Sequence, residues 1–238
     1  MKILYKFIII VSCVFIVLSC NELDLTSLDK PNSESWYSSN EEFRYALNAL
    51  YSPSFFRTDD NRWSDDLQVR ENLDYVLSGN MDSEWGTGSN IWFALYNGIS
   101  TANTIISTIE EKGDILGENI KNQYLGEAYV AKASIYAYLV AHYGDVPYLD
   151  EFPGIEESYS IPRTDKNEIK SKIYNMFDMA GELLPESYTD VVYATKGFAF
   201  AYKARSALWL GDYDIAAEAA KACMDLNMYE LHPDFGDL

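Results

Sequence analysis

Between residues 53 and 90 the chain concentrates planar side chains and forked donors. Phe55, Phe56, Trp63, Tyr75 and Trp85 are interleaved with Arg57, Arg62 and Arg70, and Asn90 follows. Ring faces stack and guanidinium or amide groups hydrogen-bond, so this set suits holding a polar ligand better than cleaving one. Bond-breaking patterns are missing. The sequence has no GxSxG, no HExxH and no GxxxxGK[ST], and Gly86-Thr87-Gly88 lacks both the third glycine and the preceding strand of a dinucleotide fingerprint. His142 and His232 have no ligand spacing, and His142 reads as a residue near a helix C-terminus. Among 37 acidic residues no acid/base pair is singled out by spacing. Asp59, Asp60, Asn61, Asp65 and Asp66 are dense enough to suggest calcium, but the turn glycine and terminal glutamate of a calcium loop are absent, so they read as a solvated acidic loop. The expectation is a binding protein with no metal or cofactor.

A second chemically distinct residue is Cys20. Lys2 and Lys6 precede an apolar run from Phe7 to Leu18, shorter than the roughly 20 residues needed to span a hydrocarbon core. The run ends in Val17-Leu18-Ser19-Cys20, which resembles a bacterial lipobox, with Leu18 bulkier than the usual residue there. The expected organisation is a lipoprotein signal peptide over 1–19, an acylated Cys20 with a polar tether to residue 35, and a domain over 36–238. An ordinary signal peptide or uncleaved anchor is the alternative. Of the three cysteines, Cys13 lies in the leader and Cys20 is acylated, so Cys223 has no disulfide partner and reads as a small buried apolar residue.

Charge narrows the partners. Eighteen basic against 37 acidic residues give −19, which removes the counterion-release route to nucleic acid and any electrostatic hold on anionic lipid. At 48% hydrophobic and 15% aromatic, 238 residues suffice for a core.

The elements that must position these groups follow helical periods. Ser39 or Asn40 caps a first helix with Phe43, Leu47 and Leu50 on one face, ended by Pro53. A short helix is expected near Asp65–Tyr75, a long one over Ile91–Glu111 and another over Ile120–Tyr143, ended by Gly144-Asp145-Val146-Pro147. Asp165 and Glu168 form a reciprocal cap for a helix reaching Leu184; Thr195–Leu210 and Asp212–Leu226 form a final pair. In that pair Tyr213, after Gly211-Asp212, is placed as the plug of a tetratricopeptide-like unit, with a generic helical hairpin as the alternative. Trp36, Trp92 and Trp209 are assigned to the core. The fold class is mainly α: a tetratricopeptide-like helical repeat array with a long irregular loop region.

The pieces Glu41-Glu42-Phe43 through Tyr51, Trp92 with Tyr96, Ile99 and Ala102-Asn103, Gly126-Glu127-Ala128-Tyr129 through Tyr143-Gly144-Asp145-Val146-Pro147-Tyr148, Pro162-Arg163-Thr164, and Lys203-Ala204-Arg205 running into Gly211-Asp212-Tyr213 together resemble the N-terminal part of the SusD/RagB family of outer-membrane nutrient-binding lipoproteins. Lys132 stands where arginine is more usual. The resemblance implies a non-enzymatic protein, anchored by lipid at the outer-membrane surface, that sits on a SusC-like TonB-dependent transporter and passes it glycans. Family members are longer, so the chain reads as a truncated copy. In the starch-binding member an arginine, a tryptophan and an asparagine of the corresponding loop contact ligand; the resemblance lets Arg70, Trp85 and Asn90 take those parts, with Trp63 and Tyr75 as further candidates. For Trp85 a buried anchor under the loop is the alternative. The rival to glycan capture is a ligand-free lipoprotein scaffold whose helical repeats bind proteins.

Replacing Cys20 with serine removes the acylation site. Three acyl chains at about 0.8 kcal/mol per buried CH₂ suffice as sole anchor, so Cys20→Ser should move the protein from the membrane pellet to the soluble fraction; a variant that stays in the pellet refutes the lipid anchor.

Overall fold

The computed structural model describes residues 36–52, 55–57, 63–64, 75–82, 84–151, 153–189 and 193–230, with positions 233 and 236. The leader, Cys20, the tether, Arg70, the acidic run from Asp59 to Asp66 and His232 lie outside them. The chain divides into units Met1–Trp36 and Tyr37–Leu238, and every helix described belongs to the second. These are α1 (Asn40–Asn48, continued by a 3₁₀ turn to Tyr51), α2 (Tyr75–Ser78), α3 (Gly86–Lys112), α4 (Glu118–Tyr143), α5 (Ile155–Ser158), α6 (Lys166–Leu183), α7 (Lys196–Trp209) and α8 (Tyr213–Asp225). No strand occurs among the described residues; a single antiparallel bridge joins Val146 to Thr164.

The central element is α4. Every side of it is buried from Val130 to Val140, as expected of a helix enclosed by others. It packs on α3 and α6; α6 then packs on α7, and α7 on α8. Successive helices therefore lie against one another in an array, as tetratricopeptide-like folds do. The spacing of Ile91, Leu95, Ile99, Ala102 and Ile109 faces α3 inward, and Ile169, Ile173, Phe177 and Ala180 do the same for α6. Caps lie where short polar side chains precede the helices: Ser39 accepts from the Glu42 N–H, Asp165 from Asn167 and Thr195 from Phe198.

One end of α1 is fixed by charge. Arg44 reaches Glu127 of α4 through two hydrogen bonds, of 2.9 and 2.7 Å, and the Glu127 side chain is only 1% exposed. The Tyr51 hydroxyl donates to the same carboxylate at 2.6 Å and accepts from the Ala194 N–H at 2.9 Å, while Gln123 donates at 3.1 Å. Burial alone would lower the Arg44 guanidinium, but the hydrogen bonds and charge of Glu127 outweigh it and hold Arg44 above its ordinary value. Rings of Tyr193 and Tyr124 lie 4.0 and 5.0 Å from the guanidinium carbon.

Several local expectations need correction. The long second helix begins at Gly86 instead of Ile91, its first turn tied to the end of α4 by the Tyr143 hydroxyl on the carbonyl of Gly88, a poor helix former. Asp165 caps α6, but Glu168 does not complete the reciprocal cap; its carboxylate turns to Lys172, 3.8 Å away. Tyr213 is 69% exposed and plugs nothing: as the first residue of α8, its side chain leans beyond the helix end, and Ala219 makes the buried contact of α8. Cys223 is half-buried, its Sγ 3.4 Å from the Gly197 carbonyl, and burial raises its thiol. His142, by contrast, is an exposed residue of the last turn of α4 as expected, its ring stacked on Tyr138 at 3.9 Å with Nδ1 2.9 Å from the Tyr138 carbonyl.

Truncating Glu127 leaves a mostly buried guanidinium without its counter-charge. Glu127→Ala should cost about 3–5 kcal/mol of unfolding free energy in urea denaturation. A loss under about 1 kcal/mol would mean that Arg44 relaxes to solvent and that the pair is not what holds α1.

Candidate functional site

The turn that ends α4 organises one face of the molecule. Gly144 closes the helix with its N–H on the Val140 carbonyl and φ of 71°, in the left-handed region that favours glycine. The residues after it then gather three helices. The Tyr96 hydroxyl of α3 donates to the Pro147 carbonyl at 2.7 Å, the Leu149 N–H donates to the Tyr136 hydroxyl of α4 at 2.8 Å, and Asn103 of α3 donates to the Leu149 carbonyl at 3.0 Å. The Lys166 N–H at the start of α6 donates to the Asp145 carboxylate at 3.0 Å, and Arg163 donates to the Asp145 carbonyl at 2.7 Å.

Beside this turn, at the N-terminal end of α3, lies a cleft of about 350 Å³ lined by Asp82, Trp85, Gly88, Ser89, Trp92, Tyr143 and Arg163. Its walls are aromatic. Trp92 packs against Tyr96 at 4.8 Å and edge-on to Tyr143 at 5.1 Å. Trp85 is half-buried and meets Trp63 edge-on at 5.9 Å. Its other support is Gly88, where an added Cβ would lie 2.7 Å from Trp85 Cε3; the missing side chain lets the indole lie across the first turn of α3. The Tyr143 hydroxyl donates to the Gly88 carbonyl at 2.9 Å, tying the end of α4 to that same turn. Burial raises the Tyr143 phenol, with Tyr138 adding and Arg57 opposing, so it stays a neutral donor. Trp85 takes the N-cap position and supplies no side-chain acceptor, which leaves first-turn N–H groups free of a side-chain partner.

Polar groups sit at the rim. Asp82 and Arg163 are exposed, and one guanidinium N–H of Arg163 is engaged by Asp145, leaving further donors of its fork. A second cleft, of about 390 Å³, is lined by Asn103, Thr104, Ile106, Ser107, Glu110, Asp150 and Glu151 and has no aromatic ring among these. Within the described residues no group of three or more His, Cys, Asp or Glu could hold a metal ion, and no helix is long and apolar enough to cross a membrane.

Of the residues singled out from sequence, the structure brings Trp63 and Trp85 together. Asn90 is exposed on α3 and does not line the cleft. Tyr75 opens α2, its side chain outside the described residues, as Arg70 is entirely. Trp92 is a correction: assigned to the core, it is half-buried and forms a cleft wall. Trp209 is likewise half-buried, with the Arg205 guanidinium carbon 4.5 Å from its ring. Gly88, Tyr143 and Arg163 were not recognised as site residues. The signal for Trp92 was available, because Trp85, Gly88 and Trp92 share one face once the helix is extended to Gly86.

A methyl group at position 88 would displace the indole while favouring the helix by up to about 1 kcal/mol. Gly88→Ala should leave the melting temperature unchanged or higher and alter the near-ultraviolet circular dichroism of the Trp63–Trp85 pair. An unaltered spectrum would show that the ring is not seated on Gly88.

Comparison with known proteins gives the family. The SusD-like family model described as "Starch-binding associating with outer membrane" matches residues 32–208. SusD-like protein P2 of Formosa agariphila is 29% identical over 257 residues, spanning 98% of this chain and 49% of that protein. A SusD-like protein from Bacteroides fragilis superposes with a TM-score of 0.70 at 26% identity, over 84% of this chain and 40% of the other. A structure described as a complex with xylogluco-oligosaccharide superposes with a TM-score of 0.67 at 18% identity, over 82% and 42% of the two chains. The chain thus spans about half the length of the curated relative it matches. With the family model covering most of the helical array, from ahead of α1 to nearly the end of α7, the chain belongs to the SusD-like family.

Proposed function

We propose that this chain binds an oligosaccharide in the Trp85–Trp92 cleft. The observation that carries the reading is the pairing, in one open cleft, of indole and phenol walls with an arginine and an aspartate at the rim. The polarised C–H groups of a pyranose face meet the negative face of an aromatic ring, and the hydroxyls need fork-like donors and acceptors. A net charge of −19 suits a neutral ligand, which loses nothing to long-range repulsion. The family description and the oligosaccharide held by one structural neighbour support this class of ligand.

In this reading Cys20 carries the lipid, the domain stands at the outer face of the outer membrane, and bound glycan passes to a SusC-like TonB-dependent transporter. The second reading, a scaffold that binds proteins, draws on the last helix pair, where Leu208, Tyr213 and Met224 are 57%, 69% and 74% exposed. A glycan array probed with the full chain separates the two, since a scaffold retains no sugar.

Trp85→Ala distinguishes platform from anchor. As a stacking platform its loss should weaken the array-selected glycan more than tenfold, about 1.4 kcal/mol, with melting nearly unchanged. A drop of about 3–5 kcal/mol in stability, typical of a lost core tryptophan, would mean that the ring holds the loop and that sugar binds elsewhere.

A further inference from the structure

Helix α3 presents a second ring to solvent beyond the cleft. Phe93 is 75% exposed, although its neighbours Ile91 and Leu95 are buried and Trp92 forms the cleft wall. Ser89, which lines the cleft, lies one turn before Phe93 on the same side of the helix, so the two surfaces are continuous. Asn90 and Asn97 flank the ring at the i−3 and i+4 positions, both exposed, and neither side-chain amide has a hydrogen-bond partner among the described residues. Trp85 and Phe93 are eight positions apart, a rise of about 12 Å along the helix, which one sugar ring does not bridge and a chain of several does.

Resting on the cleft reading, we infer that Ser89, Asn90, Phe93 and Asn97 form a second stacking subsite, taking the next units of an oligosaccharide whose first units occupy the cleft. Phe93 supplies a face for the C–H side of a pyranose. The two amides each bring a carbonyl acceptor and two N–H donors to either side of that face, matching hydroxyls at the ring edge. A protein partner fits the surface less well. Beyond half-buried Tyr96 at i+3, the exposed neighbours of the ring are the polar Ser89, Asn90 and Asn97, whereas protein interfaces centre on contiguous desolvated apolar patches.

The consequence is a dependence of affinity on chain length that Phe93 controls. The full chain and its Phe93→Ala, Phe93→Tyr and Trp85→Ala variants are titrated calorimetrically with cello-, malto-, xylo- and xylogluco-oligosaccharides from disaccharide to hexasaccharide. In the series that binds, affinity should rise with length. Phe93→Ala should weaken the hexasaccharide about three- to tenfold while leaving the disaccharide and the melting temperature unchanged, and Phe93→Tyr should restore the gain. If Trp85→Ala abolishes binding but Phe93→Ala changes no length, the subsite is overturned and the cleft reading stands. If Phe93→Ala releases a co-purifying outer-membrane barrel without altering sugar affinity, the ring belongs to a protein interface and the subsite is again overturned. If the full chain binds no series, the cleft reading fails and the subsite with it.

Discussion

A carboxylate buried on the central helix sets the constraint that the rest of the array answers. Glu127 sits on α4 with a 1% exposed side chain, and an isolated ionised group there would be prohibitively expensive. Arg44, Tyr51 and Gln123 satisfy it together. The same Tyr51 hydroxyl also accepts from Ala194, so one carboxylate ties the first helix, the central helix and the segment entering α7. Desolvation offsets much of the attraction in a pair of this kind. The pair acts together with the burial of Phe43, Leu47 and Leu50 on α1, a helix too short to hold itself.

The cleft depends on a second set of ties at the other end of α4. Tyr96, Asn103 and Tyr136 hold the backbone from Pro147 to Leu149, and Tyr143 holds the first turn of α3. Trp85 and Trp92 at the start of α3, Tyr143 at the end of α4 and Arg163 ahead of α6 are therefore brought together at one turn. Walls fixed in this way need no ordering before they meet a ligand, which spares part of the entropic cost of association. Burial of the phenols serves the same end. Tyr96, Tyr136 and Tyr143 are all raised chiefly by desolvation, so the hydrogen bonds they donate or accept do not switch at ordinary pH.

Lys132 shows how the position of a charge matters as much as its presence. The resemblance marked it only as a departure from arginine. Its ammonium is nearly buried between Asp150, at 3.8 Å, and the Tyr148 ring, at 5.3 Å. Burial first, and then Lys172, lowers it, while Asp150 opposes. Lys172 lies over the same ring at 4.6 Å, so Tyr148 is shared between α4 and α6 and fixes the loop that leaves the Gly-Asp-Val-Pro turn.

Helix identity was legible in the sequence because burial repeats at the helical period: Phe43, Leu47 and Leu50 are buried on the one face the pattern assigned them, and the helices ending at Lys112, Tyr143 and Leu183 lie where the period placed them. The stop at Gly144 was legible for a backbone reason, since the chain there takes a conformation that glycine accepts readily. The family, too, could be read from motifs that are local in sequence. What the sequence did not contain was the start of α3. Gly86 and Gly88 argue locally against a helix, yet the turn forms, with the Ser89 N–H on the Trp85 carbonyl, the Trp85 ring against Gly88 and the distant Tyr143 hydroxyl on the Gly88 carbonyl. With the start misplaced, Trp92 fell on a core stripe instead of a cleft wall, and Tyr143 and Arg163, distant in sequence, had no local signal joining them to Trp85. Periodicity records which face a helix buries; which exposed faces meet to make a site is fixed by long-range contacts that only the tertiary structure supplies.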